Sequence, residues 1–246
     1  MLITTEAIVL HRFSYNDKNN IAHLYTKEAG RLSCILPNSR GRKGGRLSGV
    51  MSPPIEVELV VKLKPRSSLC HVSQVQIVYP MPILRLDPIK QSVALFLCEF
   101  LYRVLGDFPP DARLYDFISR SFRLLDDTDR STSNFHLSFL YHLLDYLGFC
   151  PNLSPFASFD PSLGAFYFDL KEGCFSRTIP TGPFVSPSNL HALARFARIN
   201  YDNMHLFQYT RAERLQILNY LVTYYRLHLP PFGELRTLSV FSEVFS

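Results

Sequence analysis

The stretch Ile55-Glu56-Val57-Glu58-Leu59-Val60-Val61-Lys62-Leu63-Lys64 decides the class of fold. Apolar residues fall at every second position. In an extended chain that period sets Ile55, Val57, Leu59, Val61 and Leu63 on one face, toward a core, and most of Glu56, Glu58, Val60, Lys62 and Lys64 toward water. Downstream, Pro65-Arg66-Ser67-Ser68 reads as a turn into a second strand over residues 69–79. Upstream, residues 6–13, 20–27 and 31–37 are three more strand candidates, with Ala29-Gly30 as the tight turn between the last two. Five short strands at this spacing predict a small barrel. A five-stranded barrel of this length is the OB-fold, which commonly binds single-stranded nucleic acid.

Between the third and fourth strands the chain reads Arg40-Gly41-Arg42-Lys43-Gly44-Gly45-Arg46. Mobile guanidinium and ammonium groups on such a loop can follow a phosphate backbone. A solvated hairpin loop kept soluble by its charge accounts for the same residues. The charge balance of the whole chain adds weight to the first reading. Residues 1–80 hold eleven Lys/Arg against five Asp/Glu, whereas residues 81–246 hold fifteen against sixteen. The positive excess therefore belongs to one basic domain, 1–80, joined to a near-neutral one, 81–246.

The second part is helical. Asp87-Pro88 supplies an N-cap and a first-turn proline, followed by Ile89, Val93, Phe96, Leu97, Phe100, Leu101 and Val104 at helical spacing. Asp111 caps a second helix, Ser131–Ser133 opens a third, and Thr210 with Glu213 forms a capping-box pattern for another that Pro230-Pro231 stops. The Asp126-Asp127-Thr128-Asp129 run reads as a solvated turn between helices. Residues 151–187, rich in Pro, Ser, Gly and Phe, read as an irregular insert with short extended pieces such as 165–170.

Enzyme chemistry finds no support. Gly45 is followed by Arg46-Leu47, where a phosphate-binding loop needs a lysine and a hydroxyl. There is no GxGxxG or GxSxG, and the eight histidines show no ligand spacing with carboxylates. The five cysteines are scattered, with no CxxC pair, as expected of a reducing cytoplasm. The N-terminal residues lack the cationic start of a signal peptide, and the apolar run near 93–105 is too short to span a bilayer. A cytoplasmic, non-membrane protein is expected, without enzymatic activity.

What remains is binding. Arg31, Arg40, Arg42, Lys43, Arg46, Lys62, Lys64 and Arg66 are the candidate phosphate contacts, and Phe13, Tyr15 and Tyr25 are candidates for stacking on bases.

Five segments carry a family resemblance. Thr5-Glu6-Ala7-Ile8-Val9-Leu10, Tyr15-Asn16-Asp17-Lys18-Asn19 and Leu24-Tyr25-Thr26-Lys27-Glu28-Ala29-Gly30-Arg31-Leu32 resemble, in order and spacing, the opening of the RecO family of bacterial recombination mediators. Tyr146-Leu147-Gly148-Phe149-Cys150-Pro151-Asn152-Leu153 is similar to that family's "LLGYxPxL" segment, and Tyr224-Tyr225-Arg226-Leu227-His228-Leu229 to its C-terminal helix. The resemblance implies an N-terminal OB-fold and a C-terminal helical domain. It implies binding to single- and double-stranded DNA, annealing of complementary strands, and a nucleoid-associated place in the RecFOR pathway of DNA-damage repair. The implied partners are RecR, the acidic, Phe-ended tail of the single-stranded-DNA-binding protein SSB, and indirectly RecA. That tail would need an apolar pocket with nearby arginines, for which Arg103, Arg120 and Arg123 are candidates. Many relatives carry four zinc-binding cysteines after the "LLGYxPxL" segment. Between Asn152 and Pro187 this chain has only Cys174, so no zinc is expected, and Phe156, Phe159, Phe166, Tyr167 and Phe168 are the candidates to order the insert instead. An RNA-binding or ribosome-associated OB-fold protein would share the basic domain and stands as the rival reading.

Overall fold

A computed structural model of the chain describes residues 1–37, 49–63, 69–106, 108–153 and 166–238. These residues form two compact units, Met1–Thr128 together with the described residues from Gly233 onward, and Asp129–Phe232. The cationic loop Arg40–Arg46, the turn Pro65–Ser68 and the aromatic residues Phe156 and Phe159 lie outside the described residues.

The first unit contains the expected barrel. Strands β1 (Leu2–Asn16), β2 (Asn19–Thr26), β3 (Gly30–Pro37), β4 (Glu56–Lys62) and β5 (Cys70–Tyr79) close in the order β1-β2-β3-β5-β4. Every neighbouring pair is antiparallel except β3 and β5, which run parallel through Cys34↔Cys70 and Ile35↔His71. This is the OB-fold connection pattern. The interior is filled from every strand, by Ala7 and Val9, Ala22 and Leu24, Cys34 and Leu36, Val57, Leu59 and Val61, and Cys70, with Met51 and Ile55 beside them. The alternation over 55–64 thus predicts the inward set correctly.

One residue of the outward set departs from that reading. Glu56 is 1% exposed. Helix α2 (Ala112–Asp127) lies across its end of β4 and supplies partners for both carboxylate oxygens. The hydroxyls of Tyr115 and Ser119 donate to Oε1 at 3.1 and 2.8 Å. Arg123 donates through Nε at 2.8 Å to Oε2, and its Nη2 lies 2.7 Å from the same oxygen. A carboxylate can leave water when its charge is paired and its lone pairs are filled in this way.

Helix α1 (Pro88–Val104) packs on β1, with Asp87 accepting from the amides of Ile89 and Lys90 as its cap. Asp111 caps α2 in the same manner through Arg113 and Leu114. The acidic run closes α2, which includes Asp126 and Asp127, rather than forming a wholly solvated turn as the sequence suggested. Asp126 is fully buried, accepting from the Leu84 amide at 2.6 Å and the Tyr79 hydroxyl at 3.0 Å.

The β2–β3 turn depends on Gly30, whose φ of +64° lies in the left-handed region. A Cβ there would also stand 3.2 Å from Pro110 N. Gly30→Ala is expected to lower stability by about 1–3 kcal/mol, read as a shifted denaturant midpoint, from positive-φ strain together with that close approach.

The second unit is built on α3 (Phe135–Leu147), α4 (Pro187–Phe196) and α5 (Arg211–His228). Helix α3 starts at Phe135, later than Ser131–Ser133 suggested. Asn134 takes the cap position but spends its amide on the carbonyls of Met204 and Phe207. Thr210 and Glu213 form the predicted capping box on α5. Within the insert, strands β6 (Tyr167–Asp169), β7 (Cys174–Ser176) and β8 (Phe184–Val185) make a small sheet in the order β7-β6-β8. Edge-to-face contacts of Phe168 with Phe175 at 5.1 Å and of Tyr167 with Phe184 at 5.4 Å hold it. Among the described residues, no helix is long and apolar enough to cross a membrane.

Candidate nucleic-acid interface

The outer surface of β1, β2 and β3 carries the densest group of chemically distinctive side chains. On β2, His23 lies between the inward Ala22 and Leu24, so it points outward. On β3, Arg31 and Ser33 point outward by the same alternation about Leu32 and Cys34. On β1, strict alternation would send His11 and Phe13 inward with Ala7 and Val9. A register shift between Val9 and His11 reverses this, pairing His11 with His23 and Phe13 with Ile21 on the outer face.

These rings meet. His23 stacks on Phe13 with centroids 5.7 Å apart and on His11 at 6.1 Å. Tyr102, from α1, stacks on His11 at 5.0 Å and meets His23 at 4.8 Å. The Arg31 guanidinium lies 4.4 Å from the centre of the Tyr102 ring, and Arg103 approaches the same ring at 5.6 Å. His23 Nδ1 is 2.8 Å from Ser33 Oγ. Burial, reinforced by Arg31 and then His11, pushes the His23 pKa down to about 4. Burial also lowers that of His11, with Glu99 opposing and Arg103, Arg236 and Arg31 assisting. Both imidazoles are thus neutral rings at neutral pH.

Of the residues singled out from sequence, Arg31 belongs to this cluster. Lys62 is exposed at the end of β4. Its cross-strand row runs through His71, Ile35 and Ile21 to Phe13. Arg40, Arg42, Lys43, Arg46, Lys64 and Arg66 lie outside the described residues; the segment bearing Lys64 and Arg66 joins β4 to β5. Phe13 is 39% and Tyr15 58% exposed, whereas Tyr25 is fully buried and offers no face for stacking. Sequence reading missed His11, His23 and Tyr102. The irregularity in β1 that turns His11 outward has no residue signature, and Tyr102 arrives from a helix nearly eighty residues after His23.

Of the three arginines proposed for partner binding, Arg103 lies on α1 and Arg120 and Arg123 on α2. Arg123 is committed to Glu56 and lies 5.1 Å from the Tyr79 ring. Arg103 is 3.9 Å from Glu99. Arg120 is exposed on α2. All three belong to the first unit. The second unit holds an apolar pocket between α3, α4, α5 and the insert, lined by Tyr141, Phe168, Leu193, Phe196, Leu221 and Tyr224 among others.

The insert holds one cysteine, Cys174, where the family resemblance implies a zinc-binding set of four. Cys174 is exposed on β7, and among the described residues no three His, Cys, Asp or Glu side chains converge as metal ligands. The residues present do not fit a closed four-ligand site.

A closed five-stranded barrel with OB connections, basic in sequence and ringed with aromatics on its β1–β3 face, followed by helices, defines an OB-fold protein of the nucleic-acid-binding kind. Two family models cover almost the entire length: recombination protein O N terminal over residues 1–81 and recombination protein O C terminal over residues 85–236. Proteins called DNA repair protein RecO from Porphyromonas gingivalis, Phocaeicola vulgatus and Bacteroides fragilis are 41%, 39% and 35% identical to it, each aligned over 100% of both chains. The chain belongs to the RecO family of DNA repair and recombination proteins.

Proposed function

We propose that this chain is a non-enzymatic recombination mediator that binds single- and double-stranded DNA, anneals complementary strands and, with RecR, helps load RecA onto SSB-coated DNA. The observation that supports this reading best is the β1–β3 face of the barrel, where Arg31 and exposed aromatic rings share the surface that OB-folds use for oligonucleotides. Cations at Arg40, Arg42, Lys43, Arg46, Lys64 and Arg66, together with Lys62, neutralise phosphates on two strands. Their mutual repulsion falls, and bases can pair. Residues 1–80 then supply most of the DNA contacts, with partner contacts made within residues 81–246. The second unit's apolar pocket suits the Phe end of the SSB tail, its aliphatic and aromatic lining leaving specificity to cations outside it. Of the three arginines first considered, Arg120 is the one whose exposure suits partner contact, because Arg103 and Arg123 already face carboxylates.

The test is strand annealing of complementary oligonucleotides pre-coated with SSB. The mediator reading expects annealing to accelerate with added protein and to weaken as salt rises. Absence of annealing combined with tight binding to structured RNA would establish the rival RNA-binding reading.

A further inference from the structure

The rings on the barrel's outer face invite a more specific assignment. Phosphate-directed cations engage both single strands and duplexes, since both present a phosphate backbone, and the denser charge of a duplex only strengthens that contact. Aromatic faces do not. In a duplex the bases already stack on one another, whereas an unpaired base has a free face that gains by lying on a ring.

We propose that Phe13, His23, His11 and Tyr102 form a base-stacking platform for unpaired DNA bases, with Arg31 beside it for a flanking phosphate. The assignment rests on the DNA-binding reading above and deepens it. Five contacts link the four rings at centroid separations of 4.8–6.1 Å, with planes inclined by only 20–41°. The group comes from two strands and a helix and lies outside the barrel core, so packing of the barrel interior does not require it. Phe13 ends the group with 39% of its surface in solvent, so the ring is accessible to a base. Neutral imidazoles extend the ring surface without adding charge that would repel Arg31. The Arg31 guanidinium, 4.4 Å from the centre of the Tyr102 ring, places positive charge at the platform's other end. A base on the rings with its phosphate toward Arg31 satisfies both ends. Double-stranded DNA meets only the charge.

The test compares the full chain with a Phe13→Leu/Tyr102→Leu variant, which keeps apolar bulk while removing two ring faces. Dissociation constants are measured by anisotropy for a labelled oligothymidine, for a duplex of equal length, and for a single strand whose sugars lack bases. The variant is expected to lose about tenfold in affinity for oligothymidine and less than about twofold for the duplex. Wild-type protein is expected to bind the abasic strand about tenfold more weakly than oligothymidine, a comparison that does not depend on the variant folding. Equal wild-type affinity for abasic and base-bearing strands overturns the platform while leaving DNA binding intact. So does an equal loss on single strand and duplex by a variant whose circular dichroism matches wild type. Failure of wild-type protein to bind any DNA, or selective binding of unpaired RNA, overturns the underlying DNA reading along with it.

Discussion

Glu56→Ala is expected to destabilise the protein by about 3 kcal/mol, the lower end of the range for removing one partner of a buried ion pair. The lower end applies because the Arg123 side chain retains 40% exposure and can recover some hydration. The substitution also strips an acceptor from the hydroxyls of Tyr115 and Ser119, which are both buried. For a chain of this size the loss corresponds to roughly 6–12 °C in melting temperature, measurable by differential scanning calorimetry. A double-mutant cycle sharpens the claim. Glu56→Ala/Arg123→Ala is expected to cost less than the sum of the two single changes, because the second removes a cation that the first has already left unpaired. Strict additivity would mean that the carboxylate and guanidinium are not coupled.

The second large effect concerns DNA. Replacing Arg42 and Lys43 with alanine is expected to flatten the dependence of log K on log salt by about 0.9 per lost contact on duplex and about 0.7 on single strands. For two contacts on duplex the same relation gives a loss of about two-hundredfold at 50 mM salt, converging on wild type as salt approaches 1 M. Sequence preference is expected to stay unchanged, since phosphates carry no base information. An unaltered slope would remove this loop from the interface. This signature is distinct from that of Phe13→Leu/Tyr102→Leu, which separates single strand from duplex rather than low from high salt.

The barrel was legible because each strand keeps one face apolar, and alternation reports a face directly. Helix starts at Asp87, Asp111 and Thr210 were legible for an equally local reason: a cap is read from neighbouring residues. What escaped was non-local. Glu56 looks solvent-bound until α2 supplies a guanidinium and two hydroxyls. Asp126 looks solvent-bound until the Leu84 amide and Tyr79 hydroxyl reach it. Tyr25 has the composition of a stacking residue, yet its position between β1 and β3 places it wholly inside the first unit. The candidate site was half legible. Its cations stand out as a composition bias, whereas the ring cluster exists only through a one-residue register shift and a helix distant in sequence.

The grouping of α1 and α2 with the barrel bears on how fragments of this protein behave. A truncation just after β5, where the first family model ends, would strand Glu56 without its guanidinium and open to solvent the flank of β1 on which α1 rests. It would also delete Tyr102 from the aromatic face. The N-terminal third is therefore a poor autonomous surrogate for the whole, and weak DNA affinity in such a fragment would report lost scaffolding rather than a misplaced binding surface.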